Sequence, residues 1–215
     1  ATGLNAAFVD VGYEKDAFLH YHDLGPQINS WQSYLRRTLN GKQQSNLTNF
    51  KSEPNIEKEG NIGDVIKQGD QILVQITKEP ISTKGPRITA ELSIAGRFVV
   101  LVPFSNRVSV SQKIRERDEK DRLKNLVRSI KPKGFGVIIR TVAKRQSAEE
   151  LQADIDTLMR KWKVLHKGVK PVPVWLSPHR VSCTARTLPN LMRSNRDNPS
   201  SYDVSLFFQA LGTMR

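Results

Sequence analysis

Short apolar runs alternate with polar turns over the first hundred residues, which is the pattern of β-strands. Apolar runs at 6–11 and 17–21 flank a polar turn and predict a hairpin. Three more strand-like runs follow, at 71–77, 87–94 and 97–103. Because these five short strands are joined by connections of uneven length, we expect them to form a small β-barrel.

A polar stretch separates the hairpin from the later strands. It covers 26–63, is rich in Asn, Gln, Ser and Lys, and shows only a weak helical pattern around Trp31, Tyr34, Leu35 and Leu39. We interpret it as a long and partly mobile loop that leaves a β-rich core.

Helical periodicity becomes clear only after the last of these strands. One apolar face recurs at intervals of three and four residues, at Leu123, Leu126, Val127 and Ile130. A β-branched strand at 135–142 follows, and Ser147 with Glu150 forms a capping-box pattern at the start of a second helix. That helix has an apolar stripe at Leu151, Ile155, Leu158, Trp162 and Leu165. Helix, strand and helix beside a barrel predict an α+β protein. Residues 177–215 show no sustained period, and we assign them no domain.

Positive charge is concentrated in one part of the 215-residue chain, whose formal net charge is +13. Residues 1–104 are neutral overall, whereas residues 105–170 carry 18 basic and 8 acidic side chains. This asymmetry indicates a polyanionic partner. The alternative is a solvated helix with internal ion pairs, such as an i,i+4 pair of Asp118 and Arg122.

Several classes of protein are excluded or disfavoured. No apolar run approaches the roughly 18 residues of a membrane-spanning helix, and the first residues do not resemble a secretory signal. Cys183 is the only cysteine, so it forms no intrachain disulfide or cysteine-based zinc site, and no nearby pattern makes it a nucleophile. His20 and His22 share one strand face, but nothing completes a metal site, and we favour two surface histidines. We expect a cytoplasmic protein.

Two groups of residues are candidates for contacts with nucleic acid. Phe8 and Phe18 lie on neighbouring strands, where aromatic rings can stack on unpaired bases, although core packing is the alternative. Lys84 can reach a phosphate or remain a solvated loop lysine. Arg140 and Thr141 end an apolar strand, where a guanidinium beside a hydroxyl suits a terminal phosphate. The alternative there is a strand end that faces water.

Four ordered segments resemble a known family, the bacterial ribonuclease E/G endoribonucleases, and within it Bacteroidetes-type ribonuclease G sequences. The segments are 4–19 (LNAAFVDVGYEKDAFL), 69–103 (GDQILVQITKEPISTKGPRITAELSIAGRFVVLVP), 110–114 (VSQKI) and 134–151 (GFGVIIRTVAKRQSAEEL). The similarity covers about 1–172 and corresponds to the N-terminal, RNA-binding part of the family.

The resemblance implies a fold for each part of the chain. Residues 1–96 would be a five-stranded OB-fold β-barrel of the ribosomal-protein S-one type, with the long loop 26–63. Residues 97–170 would be a small, basic α/β domain that senses the 5′ end of RNA. The tail 171–215 has no match, and we expect it to be disordered or out of frame.

The resemblance also implies the roles of individual residues. Those that would contact single-stranded RNA are Phe8, Phe18 and Lys84. Those that would hold a 5′-monophosphate are Arg140 and Thr141, with backbone help from around Gly96 and Val100.

Relatives in this family continue into a magnesium-dependent nuclease domain and a Cys-x-x-Cys zinc link between the subunits of a homo-oligomer. We find no counterpart of these metal sites in the sequence, so we expect no cofactor in this chain and no catalysis by it alone. The expected function is to bind single-stranded, preferably 5′-monophosphorylated RNA during RNA and rRNA processing and decay. Two alternatives remain: a stand-alone protein that binds single-stranded nucleic acid, and a protein-interaction module whose basic helix docks an acidic partner.

Overall fold

A computed structural model describes residues 2–11, 14–81 and 84–169, together with the backbone of three short strands nearer the C-terminus. The chain divides into two compact units. The first unit consists of residues 1–42, 53–91 and 168–215, and the second unit consists of residues 43–52 and 92–167.

Strands and helices are numbered here in chain order. The strands are β1 (Ala6–Asp10), β2 (Ala17–His20), β3 (Gln71–Ile72), β4 (Gln75–Lys78), β5 (Arg87–Thr89), β6 (Ile94–Ala95), β7 (Val99–Pro103), β8 (Val108–Val110), β9 (Phe135–Ile139), β10 (Arg186–Thr187), β11 (Phe208–Gln209) and β12 (Gly212–Met214). The helices are α1 (Ile28–Leu39), α2 (Ile62–Val65), α3 (Arg117–Ile130) and α4 (Ala148–Gly168). The architecture is mixed α+β.

The first unit contains a six-stranded sheet in the order β3-β12-β1-β2-β5-β4, and β10 and β11 pair separately. Only Leu73 and Val74, both buried, separate the two edge strands β3 and β4 along the chain. The pairing among the described residues does not close into a ring. The predicted five-stranded barrel is therefore not confirmed, and its predicted strand at 97–103 forms β7 in the sheet of the second unit instead. Six short strands form this sheet of the first unit, and the two strands at its edges are consecutive in sequence.

The predicted hairpin of the first unit is confirmed by the antiparallel pairing of β1 and β2. Side chains alternate between the two faces of these strands, as expected for a period of two. Ala7, Val9 and Leu19 are buried in the core, whereas Phe8 is 43% exposed on the opposite face. The hairpin therefore has one apolar, buried face and one accessible face.

The polar stretch after the hairpin is more ordered than its sequence indicates. It contains the three-turn helix α1, in which Trp31, Tyr34 and Leu35 are buried. The predicted helical patch is confirmed as a full helix, whereas the interpretation of this part as a loop was wrong, because the polar residues of the helix occupy its outer face. Downstream of α1, the Glu57 carbonyl accepts a hydrogen bond from the Tyr21 hydroxyl at 2.8 Å.

The second unit contains a four-stranded sheet in the order β6-β7-β9-β8, together with α3 and α4. The predicted apolar helix faces are confirmed, since Leu123 and Val127 of α3 and the stripe of α4 are buried. The predicted capping box is also confirmed. The Ser147 hydroxyl accepts from the Glu150 N–H at 3.3 Å, and the Glu150 carboxylate accepts from the Ser147 N–H at 3.0 Å.

Residues 43–52 belong to the second unit although they lie within the predicted loop. Leu47 is 2% exposed, and Gly134, whose φ of +82° is left-handed, lies so close that a Cβ there would be 2.6 Å from the Cβ of Leu47. The indole N–H of Trp162 donates to the Ser45 carbonyl at 2.6 Å. This polar segment therefore supplies part of the core of the second unit.

The charged surface of α3 differs in one detail from the sequence-based expectation. Arg122 pairs with Glu119, at 2.8 Å, and the predicted pairing with Asp118 was wrong. In the part of the chain that the structure describes, no helix combines the length and apolarity needed to cross a membrane.

Candidate nucleic-acid interface

Arg140 follows the last residue of β9 and is held by backbone atoms. Alternation along β9 buries Val137 and Ile139 and exposes Ile138, and the next exposed position is Arg140. The guanidinium Nη1 donates to the Gly96 carbonyl at 2.6 Å. Among the described residues, no carboxylate forms an ion pair with Arg140. The guanidinium is thus positioned at one nitrogen while its charge is not neutralised by these residues.

Two hydroxyl groups meet just after the paired ends of β8 and β9. The Ser111 Oγ and the Thr141 Oγ1 lie 3.0 Å apart. The parallel pairing of the two strands brings them together, and it continues past β8 through a 2.9 Å hydrogen bond from the Ser111 N–H to the Ile139 carbonyl. Sequence reasoning did not single out Ser111, because the parallel register of a three-residue strand has no signature in the sequence.

The turn between β6 and β7 lies against Asp154 of α4. The Asp154 carboxylate accepts hydrogen bonds from the N–H groups of Arg97 at 3.1 Å, Phe98 at 2.8 Å and Val99 at 3.1 Å. The Gly96 N–H donates to the Val99 carbonyl at 2.8 Å. Four consecutive N–H groups of this turn are therefore bonded within the protein, and Gly96 contributes a carbonyl to the site.

Sequence reasoning also assigned no role to Asp154. One signal was available: position 154 follows Leu151 by three residues and precedes Leu158 by four, so it lies on the core-facing side of α4. A carboxylate on such a face needs hydrogen-bond partners, because burying a charge without them is costly.

The structure brings the predicted phosphate-site residues into one neighbourhood of the second unit. Gly96 contacts Arg140 directly, and Thr141 is the next residue in the chain. Val100 lies opposite Ile138 in the β7–β9 register, and Ile138 precedes Arg140 by two residues. The structure does not test the role of these residues in phosphate binding, which stays a prediction.

The unit that contains this site is strongly basic. The second unit carries 19 basic and 8 acidic side chains. Some of its carboxylates are occupied by internal bonds: Glu116 pairs with Lys144 at 2.5 Å, and Glu119 accepts from the Arg122 side chain and from the Arg145 N–H at 2.8 Å. The Arg122 hydrogen bonds, followed by that of the Arg145 N–H, lower the pKa of Glu119 to about 2.

The aromatic candidates lie together in the first unit. Phe8 and Phe18 are directly opposite each other in the β1–β2 register, with ring centroids 6.0 Å apart and ring planes at 68°. The Phe18 N–H donates to the Pro86 carbonyl at 2.9 Å. The loop that carries the exposed Lys84, two residues before Pro86, therefore ends next to Phe18. Two rings and a nearby lysine loop thus occupy one region of the sheet.

The described residues contain no cluster of three or more His, Cys, Asp or Glu side chains able to hold a metal ion. His20 and His22 lie with ring centroids 5.0 Å apart, and the ring nitrogen Nδ1 of His20 accepts from the His22 N–H at 3.2 Å. Cys183 lies outside the described residues.

Comparison with known proteins shows which family the chain is similar to. The profile of the "Ribonuclease E/G family" matches residues 93–198. The chain is 34% identical over 170 residues to Ribonuclease G of Escherichia coli (strain K12), a match that covers 79% of this chain and 31% of that protein. It is 35% identical over 169 residues to Ribonuclease G of Haemophilus influenzae, covering 78% of this chain and 31% of that protein.

A relative named Ribonuclease E matches at a similar level of identity. Ribonuclease E of a Synechocystis species is 32% identical over 165 residues, which covers 76% of this chain and 21% of that protein. The chain therefore corresponds to between about a fifth and a third of the length of these relatives. The matched length and the agreement between profile and relatives lead to one assignment: the chain belongs to the ribonuclease E/G family.

Proposed function

We propose that this chain binds single-stranded RNA and recognises a 5′-monophosphate at its end, as part of an RNA-processing ribonuclease. The observation that carries the proposal is the exposed guanidinium of Arg140, held by the Gly96 carbonyl at 2.6 Å and followed in the chain by Thr141, whose hydroxyl lies 3.0 Å from that of Ser111. A fixed guanidinium with hydroxyl groups nearby is suited to a phosphate group.

Phosphate recognition by these groups has a clear physical basis. A guanidinium binds phosphate oxygens through parallel, charge-assisted hydrogen bonds, and a hydroxyl adds a further donor. The excess of basic side chains in the second unit raises the local potential and draws a polyanion toward the site. A 5′-monophosphate can place its terminal oxygens here, whereas a 5′-triphosphate is bulkier and a 5′-hydroxyl lacks the charge.

The body of the RNA would be held by the first unit. The Phe8 and Phe18 rings offer aromatic surface for base stacking, and Lys84 offers a charge for the phosphate backbone. We propose that the sheet is an OB-fold barrel, a fold used for oligonucleotide binding. This is supported by the covalent continuity of its two edge strands through Leu73 and Val74.

Hydrolysis is assigned to none of the described residues. The family resemblance implies magnesium-dependent cleavage of phosphodiester bonds, which requires carboxylates that hold the ion. No such cluster occurs in the part of the chain that the structure covers. We propose that the described residues bind and orient RNA and that cleavage needs the remainder of a ribonuclease like the longer relatives.

The proposal is tested by the variant Arg140→Ala. We expect it to reduce the preference for 5′-monophosphorylated over 5′-hydroxyl RNA by about tenfold or more, because each hydrogen bond to a charged group contributes roughly 1.5–3 kcal/mol. The measurement is the ratio of the two dissociation constants for one RNA sequence. The matched control is Arg128→Ala, which removes an exposed arginine of α3 in the same unit.

The control distinguishes a general effect of positive charge on RNA binding from a specific effect at the Arg140 site. Arg128→Ala should weaken both RNAs slightly and leave their ratio unchanged, because a distributed charge interacts with the backbone as a whole. If Arg140→Ala likewise weakened both RNAs equally, the site would not recognise a 5′-phosphate. The chain would then be a basic protein that binds single-stranded nucleic acid without end discrimination.

A further inference from the structure

Asp154 makes an unusual set of bonds for a helical carboxylate. It lies within the 21-residue helix α4, yet its two oxygens accept the N–H groups of three consecutive residues of the β6–β7 turn, Arg97, Phe98 and Val99. Charge-assisted bonds of this kind are roughly twice as strong as neutral ones. The carboxylate therefore anchors the turn to α4.

The β6–β7 turn approaches the Asp154 carboxylate closely at Gly96. A Cβ placed on Gly96 would lie 2.6–2.9 Å from the carboxylate atoms of Asp154, so only glycine fits without movement. The Gly96 carbonyl accepts a hydrogen bond from Arg140 at 2.6 Å. Gly96 thus lies close to the carboxylate and is bonded to the guanidinium.

We propose that Asp154 is a positioning residue for recognition of the 5′ end of RNA. It does not touch the phosphate; it fixes the turn so that the Gly96 carbonyl orients the Arg140 guanidinium. This inference rests on the proposed function of Arg140. It attributes the selectivity of the site to two successive contacts. Asp154 of α4 holds the turn, and the turn holds the Arg140 side chain at the end of β9.

The contact between α4 and the turn requires a carboxylate at position 154. An amide in its place has one oxygen and one NH₂ group, and the NH₂ would face backbone N–H groups that are themselves donors. Asp154→Asn therefore removes part of the anchor at nearly constant volume. Asp156→Asn is the matched control, because it makes the same change of charge on the same helix at an exposed carboxylate whose one hydrogen bond among the described residues comes from Gln152.

The test measures the affinity ratio between 5′-monophosphorylated and 5′-hydroxyl RNA for the purified chain and its variants. We expect Asp154→Asn to lower the ratio severalfold and Asp156→Asn to leave it unchanged. In the Arg140→Ala background, Asp154→Asn should have no further effect on the ratio, because Asp154 acts through Arg140. A loss of general stability would weaken both RNAs together and would not produce this non-additive pattern.

Each outcome has a defined meaning. An unchanged ratio in Asp154→Asn, with Arg140→Ala still lowering it, overturns the role of Asp154 and leaves the proposed function intact. If the unaltered chain shows no preference for the monophosphate, the proposed function fails and the role of Asp154 fails with it. If the two substitutions lower the ratio additively, Asp154 does not act through Arg140.

A second variant keeps the inference testable if Asp154→Asn does not fold. Gly96→Ala directs a methyl group at the end of the Asp154 side chain, which can move aside, so the turn should lose its anchor while the fold persists. We expect the affinity ratio to fall as in Asp154→Asn. A folded Gly96→Ala variant that retains the full ratio overturns the inference.

Discussion

Single residues carry the chemistry of the site, and their positions depend on backbone atoms. Arg140 is held by a carbonyl of the neighbouring turn, and Thr141 is brought to Ser111 by the end of a parallel strand pair. A carbonyl partner leaves the positive charge of the guanidinium uncompensated, whereas a carboxylate partner would compete with a phosphate for it. This choice of partner suits a residue that receives an anion.

The exposed ring of Phe8 leads to a second prediction at the same scale. We expect Phe8→Ala to weaken binding of 5′-hydroxyl RNA by about 5- to 150-fold, because base stacking on an aromatic side chain is worth roughly 1–3 kcal/mol. The ratio between 5′-monophosphorylated and 5′-hydroxyl RNA should not change. The measurement is the dissociation constant for a short single-stranded RNA.

Leu4→Ala provides the comparison for Phe8→Ala, since Leu4 is an apolar side chain of the first unit that is 62% exposed. It should leave RNA binding unchanged. If Phe8→Ala instead lowered the midpoint of thermal unfolding without weakening RNA binding, the ring would serve core packing, which is the alternative that its sequence position left open.

Residue identity alone selected part of this candidate site, whose role in binding stays a prediction. Arg140 and Thr141 could be selected because a charged and a polar residue end an apolar strand, and Phe8 because it occupies an alternating position. Ser111 and Asp154 were not selected. Their roles depend on a strand register and a helix-to-turn contact that join residues 30 to 57 positions apart.

Elements of structure were predictable where their periodicity was strong. The apolar faces of α3 and α4 and the capping box of α4 follow from the spacing of residues along the chain. Helix α1 was underestimated because polar residues cover its outer face, and the partner of Arg122 was misjudged because i,i+3 and i,i+4 neighbours are equally close on a helix. Tertiary context decides such cases.

Glu119 of α3 gives a prediction of pH dependence. Its pKa is lowered to about 2 by hydrogen bonds from Arg122 and the Arg145 N–H, against about 4.3 in an unfolded chain. A lowered pKa means that the charged form stabilises the fold above the unfolded value and that this contribution is lost as pH falls through the folded value. We therefore expect the stabilising effect of Glu119 to decline between about pH 5 and pH 2.

The measurement for Glu119 is the free energy of unfolding in urea at a series of pH values, for the unaltered chain and for Glu119→Gln. The difference between the two should shrink as pH falls, because the unaltered chain loses what the variant already lacks. Glu59→Gln, at an exposed position of the first unit, serves as the control. A difference that stays constant across this pH range would contradict the assigned role of Glu119.

At the scale of the whole molecule, the sequence predicted the mixed α+β class and the concentration of charge in the second half. It did not predict that residues 43–52 contribute Leu47 to the core of the second unit, because nothing local distinguishes that leucine from a loop residue. Nor did it predict the pairing of β12 with β1 and β3, which joins strands far apart in the chain. Long-range pairing is not encoded in local periodicity.

The two units differ in charge in a way that fits their proposed tasks. The second unit has a net charge of +11 and the first unit a net charge of +2. Under the proposed function, electrostatic attraction to the RNA backbone would come mainly from the second unit, and base stacking would come from the first unit. The first contribution should weaken steeply with salt, whereas stacking should not.

The most direct test of this account is the binding of the purified chain to one short single-stranded RNA that carries a 5′-monophosphate, a 5′-triphosphate or a 5′-hydroxyl, at two salt concentrations without magnesium. We expect the monophosphorylated RNA to bind most tightly at both salt concentrations, while the affinity for all three falls as salt rises. Equal binding of the three RNAs, with only the salt dependence remaining, would contradict recognition of the 5′ end by this chain.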